Sequence, residues 1–462
     1  MGSGTAWKQY ASLFVLLLGG GISLIWGIAL EKGTRAGVMG FPGIYFGTRC
    51  LLEKCDPYKV QDLQRLYEAQ GFATPAESVA LRQSVTLYVN LPATFLFVAP
   101  FALLPLATAQ LLWMILVVGS FSIATLLMWN LGRNHAPDVS LILAFLLISN
   151  CEVIFAGGNT AGLVVSLCVL SVWCFLQQRF LMLAVVCLAV SLVIKPHDAG
   201  LIWLYFLAAG PLHRRRALLS AALALGLGVA AIVWVSHVAP SWPAELRTNL
   251  AAISGPGGIN EPGPTSIGVS SPDMIIDLQT VFSVFVNAPQ IYNVLSYLVC
   301  ALLLCAWLIA IRRSEQSTRN TLFALVSVAA LSMLVTYHRS YDAKLLLLTI
   351  PACALVWKEG KRIRWTALAL SAGTILMTGD IPLAMLTHAT RNLRLFSDGL
   401  TGKILFVLLA RPAPLLLLAV CVFYLVLMMR PVAGERSETG APREAKPIDQ
   451  AHAPRNLSSP AM

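Results

Sequence analysis

The sequence predicts an all-α, polytopic membrane protein, and three observations lead there. Of the 462 residues, 57% are apolar and 12% charged, against about 25% charged in a soluble domain. Mean hydropathy is +0.74. Several apolar runs reach the roughly 20 residues that a helix needs to cross hydrocarbon. In lipid only helices and closed barrels satisfy every backbone group, and the short alternating segments of a barrel do not occur.

About twelve spans are expected, at 11–30, 106–131, 137–156, 159–177, 180–195, 198–212, 217–237, 289–311, 320–337, 341–357, 364–380 and 403–429. The first follows Lys8, is longer than a signal-peptide core and lacks a small-x-small cleavage site, so it reads as a retained span. The stretch 91–105 is broken by Pro92, Pro100 and Pro105 and reads as a re-entrant or surface helix. Two long loops remain, 31–105 and 238–288. The first carries a helical pattern from Val60 to Ala69. The second is rich in Pro and Gly before an amphipathic segment, 274–285, in which Ile275, Leu278 and Phe282 share a face and Asp277 points away. That pattern suits a helix lying on the membrane surface. Residues 1–430 thus form one membrane domain, and the Pro-, Glu-, Arg- and Ser-rich tail 431–462 has the composition of a disordered segment.

Charge supplies the orientation. Arg133, Arg179, the run His213-Arg214-Arg215-Arg216, Arg312, Arg313, Lys358, Lys361, Arg362, Arg364 and Arg430 all fall between spans on one side, which the positive-inside rule makes cytoplasmic. The expectation is a multi-pass protein of the plasma (inner) membrane with both termini in the cytoplasm and both long loops outside. The net charge of +11 is scattered as these topology signals, not laid along one soluble face, so nucleic acid is not an expected partner. Most of the ten Cys sit inside apolar spans as small hydrophobes; Cys50 and Cys55 share the first loop and are either a disulfide or two unrelated thiols.

The non-cytoplasmic turns concentrate polar groups. Lys195 lies in Val-Ile-Lys-Pro-His-Asp; Pro196 disfavours helix at Lys195 and marks a break between spans. An ammonium there either snorkels to headgroups or, beside His197 and Asp198, holds a phosphate. The turn Tyr337-His338-Arg339-Ser340-Tyr341-Asp342 is either an aromatic belt with an internal Arg339–Asp342 pair or a site where Arg339 grips phosphate and His338 donates to developing charge. Asn159, after Gly157 and Gly158, could bond a sugar hydroxyl or cap the following helix. Asp56, in Cys-Asp-Pro-Tyr with Tyr58, starts a turn. There is no Asp-x-Asp pair, phosphate-cradling Gly-rich loop, dinucleotide fingerprint, nucleophile elbow, zinc spacing or His-x-x-x-His pair, so neither a cofactor nor a metal is expected.

Several segments together resemble glycosyltransferase family 87, whose architecture is of the GT-C type: Phe41 to Tyr58, Leu91 to Trp113, Gly158-Asn159 opening a span, and Leu192 to Pro196, with a looser fit at 337–342. The resemblance implies inverting transfer of a sugar, often mannose, from a polyprenyl-phosphate donor to a lipid or glycan acceptor on the outer face. It also implies a first-loop carboxylate as general base, normally an Asp directly before Phe41; here that position is Gly40. Asp56 is then the expected base, with His338 and Asp342 in reserve, or the chain is a member that binds lipid-linked sugar without turning it over. Tyr58, Asn159, Lys195, His197, Arg339 and Asp342 are the expected substrate contacts. The competing class is a transporter or flippase for a lipid-linked sugar, which would need no base, although the repeated halves of many transporters are not seen.

Overall fold

A computed structural model describes residues 3–34, 40–69, 86–263, 275–360, 362–392 and 399–430. The expected tail 431–462, Lys361 and Met274 lie outside them. The architecture is helical throughout: α1 (Ser3–Thr34), α2 (Phe41–Leu52), α3 (Val60–Ala69), α4 (Ala93–Ala102), α5 (Leu106–Arg133), α6 (Pro137–Ile148), α7 (Glu152–Gly157), α8 (Thr160–Gln177), α9 (Leu181–Ile194) and α10 (Pro196–Ala208) come first. They are followed by α11 (Pro211–Val238), α12 (Trp242–Ser254), α13 (Leu278–Phe285), α14 (Pro289–Arg313) and α15 (Thr318–Val335). After a 3-10 segment at Asp342–Leu348 come α16 (Thr349–Lys358), α17 (Ile363–Met377), α18 (Asp380–Asn392), α19 (Leu400–Ala410) and α20 (Pro412–Met429).

Among the described residues, seven helices are long and apolar enough to cross a membrane, and five shorter apolar helices accompany them. Burial sorts the seven. The best windows of α8 and α15 are 72% buried, whereas those of α1, α11 and α14 are 17–22% buried. In the last three, side chains such as Leu225, Val233 and Leu302 stand exposed, as a lipid-facing surface requires. The core therefore lies along α8 and α15, with α5, α9, α10 and α20 packed around them.

The helix ends form two chemically distinct faces. At one, Arg216 bonds Gln178, Gln316 bonds the Ala209 carbonyl, and Arg319 reaches Glu359 and the Leu427 carbonyl. These contacts join the basic turns into a single end of the bundle. Helices α9 and α15 run from that end to the turns that hold Lys195 and His338.

Two expectations are corrected here. The span placed at 403–429 is two helices, because Pro412 opens α20 and Arg411, 2% exposed, is drawn inward by the Pro262 carbonyl at 3.1 Å and Ser283 Oγ at 3.3 Å. Of the two, α20 alone is long and apolar enough to cross a membrane. The segment around Asp277 is no surface helix either: Asp277 is buried, its Oδ1 accepts from Thr280 N–H at 3.1 Å as the N-cap of α13, and Leu278, Gln279, Thr280, Val281 and Ser283 are buried with it. The capping bond takes precedence over amphipathic patterning.

The first long loop is folded. α2 buries Phe41, Ile44, Tyr45, Phe46 and Leu51 and packs on α4, Tyr45 Oη donates to the Leu104 carbonyl at 2.7 Å, and Cys50 is disulfide-bonded to Cys55. α2, α3 and α4 make a cap on the non-basic end. It is anchored by the Phe41–Trp113 stack, 5.4 Å between centroids, and by Trp113 Nε1 donating to the Gly158 carbonyl at 2.7 Å.

Candidate functional site

α9 stops at Ile194 because Pro196 cannot follow a helical residue, and Lys195 takes φ −138° and ψ 82° before Pro196 opens α10. Asp198 falls in the first turn of α10, where the helix dipole favours a carboxylate. α15 ends at Val335, and 336–341 turn the chain into the 3-10 segment that starts at Asp342. These two breaks face each other.

Across them Lys195 Nζ lies 2.5 Å from Asp342 Oδ1 and 3.4 Å from Asp198 Oδ2. Asp342 Oδ2 accepts from the Arg339 backbone N–H at 2.9 Å. His338 Nε2 stands 3.1 Å from Asp198 Oδ1, and His197 Nε2 stands 3.7 Å from the same oxygen; the two imidazole centroids are 5.0 Å apart. Asp198, His338 and Asp342 are buried. Removing such charges from water costs several kcal/mol per ion, so the sequence keeps this group at a standing energetic loss that packing alone would not require. Burial opposes a charge on His338, but the neighbouring Asp198, the Asp342 carboxylate and the Thr336 carbonyl outweigh it and raise the pKa.

One side of this cluster opens on a cavity of about 420 Å³ between α10, α14 and α15. Its head is His197 and Thr336; below them Leu201, Tyr297, Leu304 and Leu331 make apolar walls. From Tyr297 to Leu304 it follows α14 for roughly 10 Å. A polar head and an apolar shaft together suit an amphiphile.

The structure brings together four of the expected site residues, Lys195, His197, His338 and Asp342. Arg339 borders them through its backbone, but its side chain is turned to the second long loop: Nε donates to Tyr337 Oη at 2.7 Å, and one terminal nitrogen donates to the Ile259 carbonyl at 2.5 Å and Asn260 Oδ1 at 3.1 Å. Ile276 N–H donates to the His338 carbonyl at 2.9 Å. The segments 259–260 and 275–277 thus hold the turn in place. Asn159 Oδ1 accepts from Ala161 N–H at 2.9 Å, so of the two readings of this residue the helix cap is the one seen.

Asp56 and Tyr58 belong to the cap. Asp56 Oδ1 accepts from Tyr58 N–H at 3.0 Å, and Oδ2 has Ser241 Oγ at 3.4 Å and Lys59 Nζ at 3.9 Å. Tyr58 is fully buried, donates to the Asn90 carbonyl at 2.9 Å and packs on Tyr88, Phe95 and Trp242. It is a core residue and not a surface for substrate.

Gly40 carries a firmer message. A Cβ there would fall 1.8 Å from the Gly157 carbonyl oxygen. That oxygen is backbone, at the end of α7, where Gly158 adopts φ 58°. The position has no room for any side chain, so the acid that the resemblance places before Phe41 is sterically barred.

Sequence reasoning passed over three sets of residues. Asp198 was named beside Lys195 without a role, although its i,i+3 spacing in the first turn of α10 was a usable signal. Arg411 stood inside an expected span, itself a sign of function or of a break. Glu152, Lys344 and Asp380 form a second buried group in which Asp380 accepts from Ser340 Oγ at 2.7 Å and Val153 N–H at 3.0 Å; no local pattern marks it.

The sequence model of glycosyltransferase family 87 matches residues 88–336, more than half of the chain. The matched region includes Lys195, His197 and Asp198 and the walls of the cavity, and it stops just before His338. No curated protein and no solved structure matches the chain.

Proposed function

The chain belongs to glycosyltransferase family 87, and from that premise we propose that it transfers a sugar, with inversion, from a polyprenyl-phosphate donor to a lipid or glycan acceptor at the outer face of the plasma membrane, mannose being the expected sugar. The observation that carries this reading is the amphiphilic cavity. Its apolar shaft between α10, α14 and α15 matches an isoprenoid chain, and His197 at its head, with Lys195 in the charged cluster beside it, matches a phosphate. A transporter for the same lipid would require a path through the bundle, whereas the polar groups here gather at one end.

In the transfer the acceptor oxygen forms a bond to C1 while the bond from C1 to the phosphate oxygen breaks, and the electron pair leaves on the phosphate. Lys195 stabilises that charge, which develops in a site largely shielded from water. Inversion places the base on the face opposite the phosphate, away from Lys195 and His197. Asp56 on the cap is the residue we assign to it, its Oδ2 being the less constrained of its two oxygens. The orientation rests on the basic end being cytoplasmic, and the Cys50–Cys55 disulfide on the cap is at home in an oxidising compartment.

The test is transfer of radiolabelled sugar from polyprenyl-phosphate donors by purified protein in lipid. Asp56→Asn keeps the Oδ1 acceptor for Tyr58 N–H and so preserves the turn. It is expected to lower turnover by at least about a hundredfold, the usual worth of general-base help. Full activity in that variant would return Asp56 to a turn role, and no transfer by the native protein from any such donor would remove the reading as a whole.

A further inference from the structure

Asp198 Oδ1 faces two imidazole nitrogens at once, His338 Nε2 at 3.1 Å and His197 Nε2 at 3.7 Å. One ligand atom from each of the three residues can be chosen so that all lie within 4.8 Å of one another. Zinc held at about 2.0–2.1 Å by nitrogen and oxygen in a tetrahedral site sets its ligands roughly 3.3 Å apart, close to the two separations measured to Asp198. Asp198 is 3% exposed and His338 0%, and the Asp198 carboxylate meets His338 Nε2 at 3.1 Å and Lys195 Nζ at 3.4 Å as ion pairs, without hydrogen bonds of regular geometry. Buried polar atoms without regular hydrogen bonds are uncommon.

The orientation of the His338 ring narrows what joins it to Asp198. His338 Nδ1 lies 2.7 Å from the Thr336 carbonyl oxygen. A carbonyl only accepts, so Nδ1 carries a hydrogen and Nε2 is the ring atom turned toward Asp198. Nε2 and Asp198 Oδ1 face each other at 3.1 Å, a separation bridged either by a proton on Nε2 or by a cation that both atoms ligate. A metal-bound His held through its other N–H by a backbone carbonyl is the usual outer-shell arrangement. Lys195 approaches the other oxygen, Oδ2, and leaves Oδ1 to the imidazoles.

We propose that His197, Asp198 and His338 form a binding site for one divalent transition-metal ion, zinc by its ligand set, at the head of the apolar cavity. Two imidazoles and a carboxylate with a vacant fourth position are the donor set of catalytic zinc. His197 lines the cavity, so that position opens toward the space assigned to the donor, where a phosphate oxygen would fill it beside Lys195. This role rests on the donor reading above; the binding of the metal does not. Adjacent residues 197 and 198 meet 338 only in the folded chain, which is why no metal-ligand spacing marks the site in the sequence.

The experiment uses the full chain in lipid nanodiscs, stripped with EDTA and then dialysed against Zn²⁺ or Co²⁺. One tightly held Zn²⁺ per chain by mass spectrometry is expected, together with the intense visible absorption of four-coordinate Co²⁺. His197→Gln and Asp198→Asn should abolish both signals; His197 is half-exposed, so its variant is expected to fold, and thermal unfolding checks this. Failure of the stripped native chain to take up metal, or uptake unchanged in both variants, would overturn the site and leave His338 and Asp198 as a proton-bridged pair. Donor assays separate the two readings. Metal bound without transfer supports the site and removes the donor reading, whereas full transfer by metal-free protein removes the metal's role at the donor phosphate and leaves the site to the uptake measurement.

Discussion

Lys195 Nζ and Asp342 Oδ1 meet at 2.5 Å across 147 residues of chain, and this pair ties the break between α9 and α10 to the turn that follows α15. Removing one partner of such a buried pair strands the other, at a cost of about 3–5 kcal/mol. Lys195→Met is therefore expected to lower the thermal midpoint strongly and to abolish donor binding. The double variant Lys195→Met/Asp342→Leu should recover part of the stability, because Asp198 still lacks the ammonium it faces at 3.4 Å, and none of the binding. Recovery of both would make the pair structural only.

Gly40 offers a second, purely steric test. Because a Cβ at this position would meet the Gly157 carbonyl at 1.8 Å, even Gly40→Ala must displace backbone. A loss of about 3 kcal/mol is expected, visible as a lower unfolding temperature in detergent. Gly40→Asp, the change toward the family pattern, should fare no better and should not raise transfer. A stable Gly40→Asp protein with increased turnover would contradict the packing described here.

The cavity predicts a length-dependent defect. Ala301 and Ser332 line its shaft, and a bulky side chain at either would occupy space assigned to the isoprenoid. Ala301→Trp is expected to raise KM for a long polyprenyl-phosphate sugar by about tenfold, roughly 1.4 kcal/mol, with little change in kcat. A short-chain donor should be far less affected. Equal effects on both would place the lipid elsewhere.

Orientation can be read by cysteine labelling in intact cells. On a background with the exposed Cys305 replaced by Ser, a thiol at Lys59→Cys on the cap should react with an impermeant maleimide. One at Arg215→Cys, at the basic end, should react only after permeabilisation. The reverse pattern would turn the protein over and move the site to the cytoplasm.

Much of this was legible in the sequence because its causes are local. The length of an apolar run sets whether a helix can cross lipid, so α5, α8, α11, α14 and α15 lie close to where hydropathy puts them. Val60–Ala69 is the helix its pattern announces, the basic residues mark one face, and Pro196 dictates the break at which Lys195 sits. Tertiary structure alone decided the rest. Asp198, His338 and Asp342 converge on Lys195 because α9, α10 and α15 pack side by side, an outcome set by helix surfaces and not by any spacing along the chain. Asp277 is polar at a position whose neighbours read as amphipathic, and only the burial of the capped α13 shows it to be inside. Gly40 reads in sequence as a missing acid; the Gly157 carbonyl beside it shows a contact that excludes one. One-dimensional signals report how each segment meets lipid or water, whereas a site is made where segments meet each other.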